Sequence, residues 1–220
     1  MKHIFITCLA LLGLTACAQS QTINWRAMKI DQKNLVHAQA GWDYGLTYGL
    51  GYSRQLSVGV PVIAGVEYSA PAGENLADDF KIRIGGQAEV LHLGAFSATV
   101  KVYSPFRRFE NHLATLISFG GEFTGVAGFY KSSWFVAGEF GFDKAIATHI
   151  QHSRASLESY GGRQSGWYIP TGGNYNYGVQ GGFSFRGNDL SIRIGMVLSQ
   201  GFKTRPFIPY MAQLGYIRRF

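Results

Sequence analysis

From residue 36 to residue 54 apolar and polar positions alternate without a break. Val36, Ala38, Ala40, Trp42, Tyr44, Leu46, Tyr48, Leu50 and Tyr52 fall on one side; His37, Gln39, Gly41, Asp43, Gly45, Thr47, Gly49, Gly51 and Ser53 fall on the other. A period of two over so long a run marks β-strand with one apolar and one polar face. The pattern returns along the rest of the chain. Val60, Val62, Ala64, Val66 and Tyr68 alternate with Gly65, Glu67 and Ser69, and Phe80, Ile82, Ile84, Ala88 and Val90 with Lys81, Arg83, Gln87 and Glu89. Further runs cover 96–102, 117–123, 134–143, 174–185, 190–198 and 210–220.

The two faces differ in a way that selects the environment. Glu67, Lys81, Arg83, Glu89, Lys101, Glu122, Glu139 and Arg193 all fall on the polar face within strands. The core of a soluble sandwich would not hold so many charges, whereas a barrel in lipid has a polar interior and an apolar exterior. Aromatic residues gather toward strand ends (Tyr68, Phe80, Phe123, Phe142, Tyr175, Phe185, Tyr210, Phe220), with aliphatics or alanine between. That is the girdle arrangement of a membrane barrel. The expected fold is a transmembrane antiparallel up-and-down β-barrel.

Turn residues and breaks in the pattern predict short connections near 55–58, 91–94, 124–129 and 186–189, and long ones near 70–79, 105–112, 144–172 and 200–208. This leaves an odd strand count. Two routes make it even: 35–54 folds as a hairpin near Asp43-Tyr44-Gly45, the favoured one, or 22–30 supplies another strand. Either gives about ten strands, with eight as the fallback.

Composition fits this reading. Of 220 residues 46% are hydrophobic, 15% aromatic and 15% charged, and 29 are glycine. Mean hydropathy is +0.01, yet after the first residues no stretch approaches the roughly 20 apolar residues of a membrane helix. The start reads as an export signal over 1–18: basic Met1-Lys2-His3, apolar Ile4 to Leu14, then small Ala16 and Ala18. The remaining 19–220 form one domain. Cleavage after Ala18 and lipidation at Cys17, in the lipobox-like Leu14-Thr15-Ala16-Cys17, are both open. Cys8 and Cys17 are the only cysteines, so neither route leaves an intramolecular disulfide. The formal net charge is +7. Export removes nucleic acid as the partner of this charge and leaves anionic headgroups at a membrane surface.

The signal, the run Ala40-Gly41-Trp42-Asp43-Tyr44-Gly45 and the ending Leu214-Gly215-Tyr216-Ile217-Arg218-Arg219-Phe220 resemble those of bacterial outer-membrane barrels, specifically uncharacterised barrels of the Bacteroidota type. The resemblance implies a Gram-negative outer-membrane location, contact with lipid and lipopolysaccharide, and Tyr216 and Phe220 as the signal read by the barrel-assembly machinery. Arg218 departs from the pattern, where an apolar or aromatic residue is usual.

Candidate chemistry is sparse. Some small barrels are lipid-modifying enzymes, and His112 with Ser104 and Glu110, or His149 and His152 with Asp143 and Ser153, could form a rim site if a serine met a base and the base an orienting acid. His149 and His152 lack a third metal ligand in sight. No catalytic residue, metal or cofactor is assigned. Arg107, Arg108, His149, His152, Arg154, Arg163, Trp167, Lys203 and Arg205 are expected in the outer connections, where they could contact lipid headgroups. Ile146, Ile150 and Leu157 could form one face of a short helix within 144–172, a lid anchored by Trp167-Tyr168. The lumen charges pair off and plug a narrow barrel or line a pore in a wider one. The first expectation is therefore a non-enzymatic barrel with a structural or surface-ligand role. A narrow pore for ions or small solutes is the alternative, and a rim-site lipid hydrolase or acyltransferase the second alternative.

Overall fold

The computed structural model describes residues 21–43, 46–57, 59–71, 79–154, 164–199 and 209–220. Strands β1 Asn34–Asp43, β2 Leu46–Leu56, β3 Val62–Pro71, β4 Phe80–Leu93, β5 Phe96–Glu110, β6 Ala114–Tyr130, β7 Trp134–His152, β8 Gly166–Tyr168, β9 Asn174–Phe185, β10 Asn188–Ser199 and β11 Tyr210–Arg219 follow in chain order. Each pairs antiparallel with its neighbours, and β1 pairs with β11. The ring closes through β6, β7 and β9, while three-residue β8 lies beside the far end of β7. Ten strands thus form a closed transmembrane barrel, and closure leaves the ring without a free edge.

The alternation read from the sequence is the alternation of outside and inside. Leu50 is 65% exposed, Ile84 64%, Phe183 70% and Leu214 65%, while Glu67, Arg83, Glu139 and Arg193 on the opposite face are buried. A wall so apolar around its whole circumference is stable only where lipid covers it.

The hairpin of β1 and β2 accounts for the even strand count. Asn34 pairs with Arg54 and Trp42 with Leu46. Residues 22–30 form no strand; they hold a short 3-10 turn, Trp25–Ala27, inside the barrel. Both chain ends of the ring share one end with the connections after β2, β4, β6 and β9, here the turn end. Asn34 and Phe220 exchange backbone hydrogen bonds of 2.9 Å there. The two-residue turn at Arg186-Gly187 has positive φ at both residues, +47° and +81°, the geometry that matches the twist of a hairpin.

Three connections differ from expectation. Residues 124–129 lie inside β6, and the turn falls at 131–133. Gly128 in this segment serves packing instead: a Cβ there would lie 2.2 Å from the Val136 carbonyl oxygen. Strands β5 and β6 extend to Glu110 and from Ala114, reducing the connection to 111–113. Strand β7 runs to His152, so Ile146 and Ile150 are strand residues and not one face of a helix. The backbone of 144–152 pairs with β6, which outweighs any helical spacing of its side chains. Leu157 lies outside the described residues.

Candidate functional site

The lumen wall places the charged residues in two facing groups. On β3, β4 and β6, Arg83 pairs with Glu67, and its other terminal nitrogen donates to Glu122 Oε1 at 3.3 Å. Lys81 Nζ lies 3.4 Å from Glu122 Oε2, and His37 Nε2 3.2 Å from Glu67 Oε1. The Arg83 guanidinium also stands 5.7 Å over the Tyr103 ring. On β7, β9, β10 and β11, Arg193 pairs with Glu139; Gln180 donates to Glu139 at 3.1 Å and Arg193 to Gln213 at 3.2 Å. Lys101, on β5, interacts electrostatically with Glu139 in one group and with Glu67 and Glu122 in the other. Strand alternation gives each side chain its inward direction, and register brings opposite charges together: Glu67 lies directly across from Arg83.

The wall is electrically balanced. Six buried cations (Lys81, Arg83, Lys101, Arg107, Arg193, Arg219) face six buried anions (Glu67, Glu89, Glu122, Glu139, Asp143, Asp189) among the described residues. Arg219 donates to Asp189 at 2.9 Å near the turn end. Each charge taken out of water needs such a partner, because a lone buried ion costs several kcal/mol.

Asn176 stands outside these pairs. Its side chain is fully buried on the lumen face of β9, and neither its Oδ1 nor its Nδ2 has a hydrogen-bond partner in the protein. Gly141 and Thr124 lie alongside; a Cβ on Gly141 would come within 2.6 Å of Asn176 Oδ1 and of Thr124 Oγ1. The bare glycine leaves the room the amide occupies.

The turn end of the lumen holds the chain's own N-terminal segment. Ile23 and Trp25 pack with Leu35, Ile63 and Ile217 of the wall. Asn24 Nδ2 donates to the Lys131 carbonyl at 2.8 Å and to Ser184 Oγ at 2.9 Å. Trp25 Nε1 donates to Thr99 Oγ1 at 3.0 Å, and Arg26 reaches Ser97 at 2.9 Å and Glu89 at 3.3 Å. The sequence offers little to announce this insert. Ile23 and Trp25 are apolar at period two, but no further alternation carries the run into a strand.

Of the residues expected at the outer rim, Arg107 belongs to the lumen. It sits on β5 facing inward and donates to Asp143 at 2.6 Å. The extension of β5 past residue 105 turns what reads as a loop residue into a wall residue. Arg108, next along the strand, faces outward and pairs with Glu110. His149 lies on β7 with its ring 5.1 Å from that of Trp167, which stands 62% exposed. Trp167 also stacks on Phe119, and the contacts continue through Phe106 and Phe80 to Tyr68. These rings form an aromatic arc around the loop end, with indole, phenol and imidazole available for an interface. The His152 backbone N–H donates to Ser165, and Arg154 is exposed. Arg163, Lys203 and Arg205 lie outside the described residues.

The serines proposed for a rim site direct their hydroxyls at backbone. Ser104 donates to the Gly120 carbonyl at 3.2 Å and Ser153 to the His112 carbonyl at 2.8 Å. Asp143 is engaged by Arg107. Among the described residues no three His, Cys, Asp or Glu side chains are close enough together to hold a metal ion.

At the C-terminus, Tyr216 and Phe220 face outward. Tyr216 donates to Asn188 Oδ1 at 2.7 Å. Arg218 also faces outward and donates to Asn188 Oδ1 at 3.0 Å and the Arg186 carbonyl at 3.3 Å, so its charge is met at the rim by the β9–β10 turn.

No family model and no curated protein sequence matches the chain. Among solved structures it is similar to an outer membrane channel from Pseudomonas putida F1, with a TM-score of 0.53 at 14% identity over 92% of this chain and 100% of that one. It is also similar to the KdgM porin in complex with disordered oligogalacturonate, with a TM-score of 0.44 at 10% identity over 84% and 99% of the two chains. The first likeness is one of fold.

Proposed function

We propose that this protein is an integral outer-membrane channel for small polar solutes without strong preference for either sign of charge. Asn176 carries the reading. A buried amide left without partners costs about 1–3 kcal/mol, a cost that water or a polar solute reaching Asn176 would offset. The barrel is polar along its interior, and its wall charges cancel, six against six. The fold it shares with the Pseudomonas putida channel is in keeping with that use. Within the membrane the apolar wall meets lipid, and the turn end, with both chain ends of the ring, faces the periplasm.

In planar bilayers the purified protein is expected to give discrete conductance steps. Their reversal potential in a salt gradient should stay near zero, because the wall is neutral. Absence of steps under every voltage and in every variant that displaces the lumenal insert would remove the channel reading. A strongly shifted reversal potential would leave a channel and remove the claim of weak selectivity.

A second reading is a closed barrel that stabilises the membrane or binds a ligand at its outer surface. The pairing of the lumen charges favours it, since Glu67–Arg83–Glu122–Lys81 and Glu139–Arg193 fill space as well as balance charge. In that case the outer rim is the functional surface, with Arg108, His149, Arg154 and Trp167 at hand for lipopolysaccharide. A rim-site lipid enzyme is not supported by the directions of Ser104 and Ser153.

A further inference from the structure

We propose that residues 21–28 form an autoinhibitory plug that closes the periplasmic mouth of the lumen and leaves it when the channel opens. The inference rests on the channel reading and adds its gate.

The insert is held from around the ring. Gln21 Nε2 donates to the Ala38 carbonyl on β1 at 2.7 Å. Gln87 on β4 donates to the Gln21 carbonyl at 3.1 Å and accepts from the Ile23 N–H at 3.4 Å. Asn24 spans to Ser184 on β9 and to the turn before β7, and Trp25 to Thr99 on β5. A segment joined to β1, β4, β5 and β9 at once lies across the opening. Thr22, Ile23, Asn24 and Trp25 are all buried, so the crossing leaves little space beside it.

The same contacts are of a kind that can be released. The insert is short, and its regular backbone amounts to a single 3-10 turn. Its grip consists of side-chain hydrogen bonds, each worth about 1 kcal/mol net, and one apolar cluster. Arg26 supplies the one cation, latched to Glu89 and Ser97. Ser97 also donates to Glu89 at 2.6 Å, so that carboxylate keeps a partner when Arg26 departs. Withdrawal of the insert leaves the six-to-six balance of the wall untouched. The wall is closed by its own hydrogen-bond ladder from β1 to β11, independent of the insert. Displacement therefore opens the mouth without dismantling the barrel.

The test uses the full-length protein with Thr22→Cys as a reporter, a site only 2% exposed. Either processing route removes the native thiol: cleavage after Ala18 discards Cys17, and lipidation consumes its sulfur. A membrane-impermeant maleimide should label Thr22→Cys slowly. Labelling should rise at least about tenfold when Trp25→Ala and Arg26→Ala are added, as expected of a locally opened segment. Single-channel open probability should rise by a similar factor. Thr99→Val, which leaves the insert's own sequence intact, should move both readouts in the same direction. Heat-modifiable gel mobility confirms that each barrel is folded. Equal labelling rates would show that the insert is not held in the lumen and would overturn the plug. Faster labelling with unchanged open probability would overturn the gate and leave the channel standing. Conductance from none of the proteins would overturn the channel reading and the gate with it.

Discussion

Arg107 Nη2 and Asp143 Oδ2 lie 2.6 Å apart inside the barrel, joining β5 to β7 across the intervening β6. Both side chains are buried, at 11% and 2% exposure. Arg108, one residue on, points to the outside and shares its charge with half-exposed Glu110. Neighbours of identical chemistry thus have opposite roles, set by the strand's period of two. Breaking a buried pair costs about 3–5 kcal/mol, while a surface pair is worth about 0.2–1 kcal/mol. Arg107→Ala should lower the urea midpoint of unfolding clearly, and Arg108→Ala should move it little. Folded fraction on a heat-modifiability gel measures both. Equal shifts would show that the loop end of the lumen does not depend on this pair.

How much of this was legible in the sequence depends on where period two is visible. The run 36–54 reads as one strand because the hairpin inside it pairs even residues with even residues, Trp42 with Leu46, so the phase survives the turn. Asp43 and Gly45 still betray it by type. The lumen charges were legible because strand direction alone sends Glu67, Arg83, Glu122, Glu139 and Arg193 inward. The loop end was not. A bulge shifts the register of β7 against β6 at Phe119/Gly120, and the alternation of β7 beyond it no longer continues the phase before it. Residues 144–152 therefore passed for loop. Arg107 keeps the inward phase of β5 and passed for loop because Ser104-Pro105 before it reads as a break. The insert at 21–28 was invisible for a different reason. It has no regular period, and its fit depends on Leu35, Ile63 and Ile217, which are distant in sequence.

Close approach of strands, rather than turn formation, explains Gly128. A Cβ there would lie 2.2 Å from the Val136 carbonyl oxygen and 2.5 Å from the Ala137 Cβ, and backbone cannot swing away. A Cβ on Gly121, in the same strand, would meet nothing within 4 Å. Overpacking typically costs about 1–3 kcal/mol. Gly128→Ala should therefore lower the unfolding midpoint, and Gly121→Ala should leave it within about 0.5 kcal/mol of the parent. The reverse order would mean that β6 and β7 are farther apart than described.

Assembly should depend on Phe220 through its position at the seam. Its backbone exchanges hydrogen bonds with Asn34, where the last strand meets the first, and its ring faces outward. Phe220→Asp should reduce the amount of folded barrel in outer-membrane fractions severalfold. Arg219 is no neutral control for this experiment, because it is buried and paired with Asp189. Arg218→Ala is better suited, since Arg218 is exposed at the rim. Equal insertion of Phe220→Asp and Arg218→Ala proteins would show that the terminal aromatic is not an assembly signal.

Two tryptophans test the orientation of the whole wall. Trp25 lies inside the lumen at 8% exposure, and Trp167 stands outside at 62%, stacked on Phe119 in the aromatic arc. Indole rings favour the level of the headgroups, with the apolar body toward the chains and the N–H toward water. If the arc marks the outer interface, lipid should reach Trp167 and not Trp25. The chain has four tryptophans, so each is examined in a protein whose other three are changed to Phe. In bilayers of lipids brominated at known depths, Trp167 fluorescence should be quenched, and most strongly by bromines near the headgroup. Trp25 should be nearly insensitive at every depth, because the closed ladder keeps acyl chains out of the lumen. Maximal quenching of Trp167 by bromines near the chain ends would place the arc in the bilayer interior and displace the outer interface from it. Strong quenching of Trp25 would mean that the N-terminal segment lies against lipid, outside the wall.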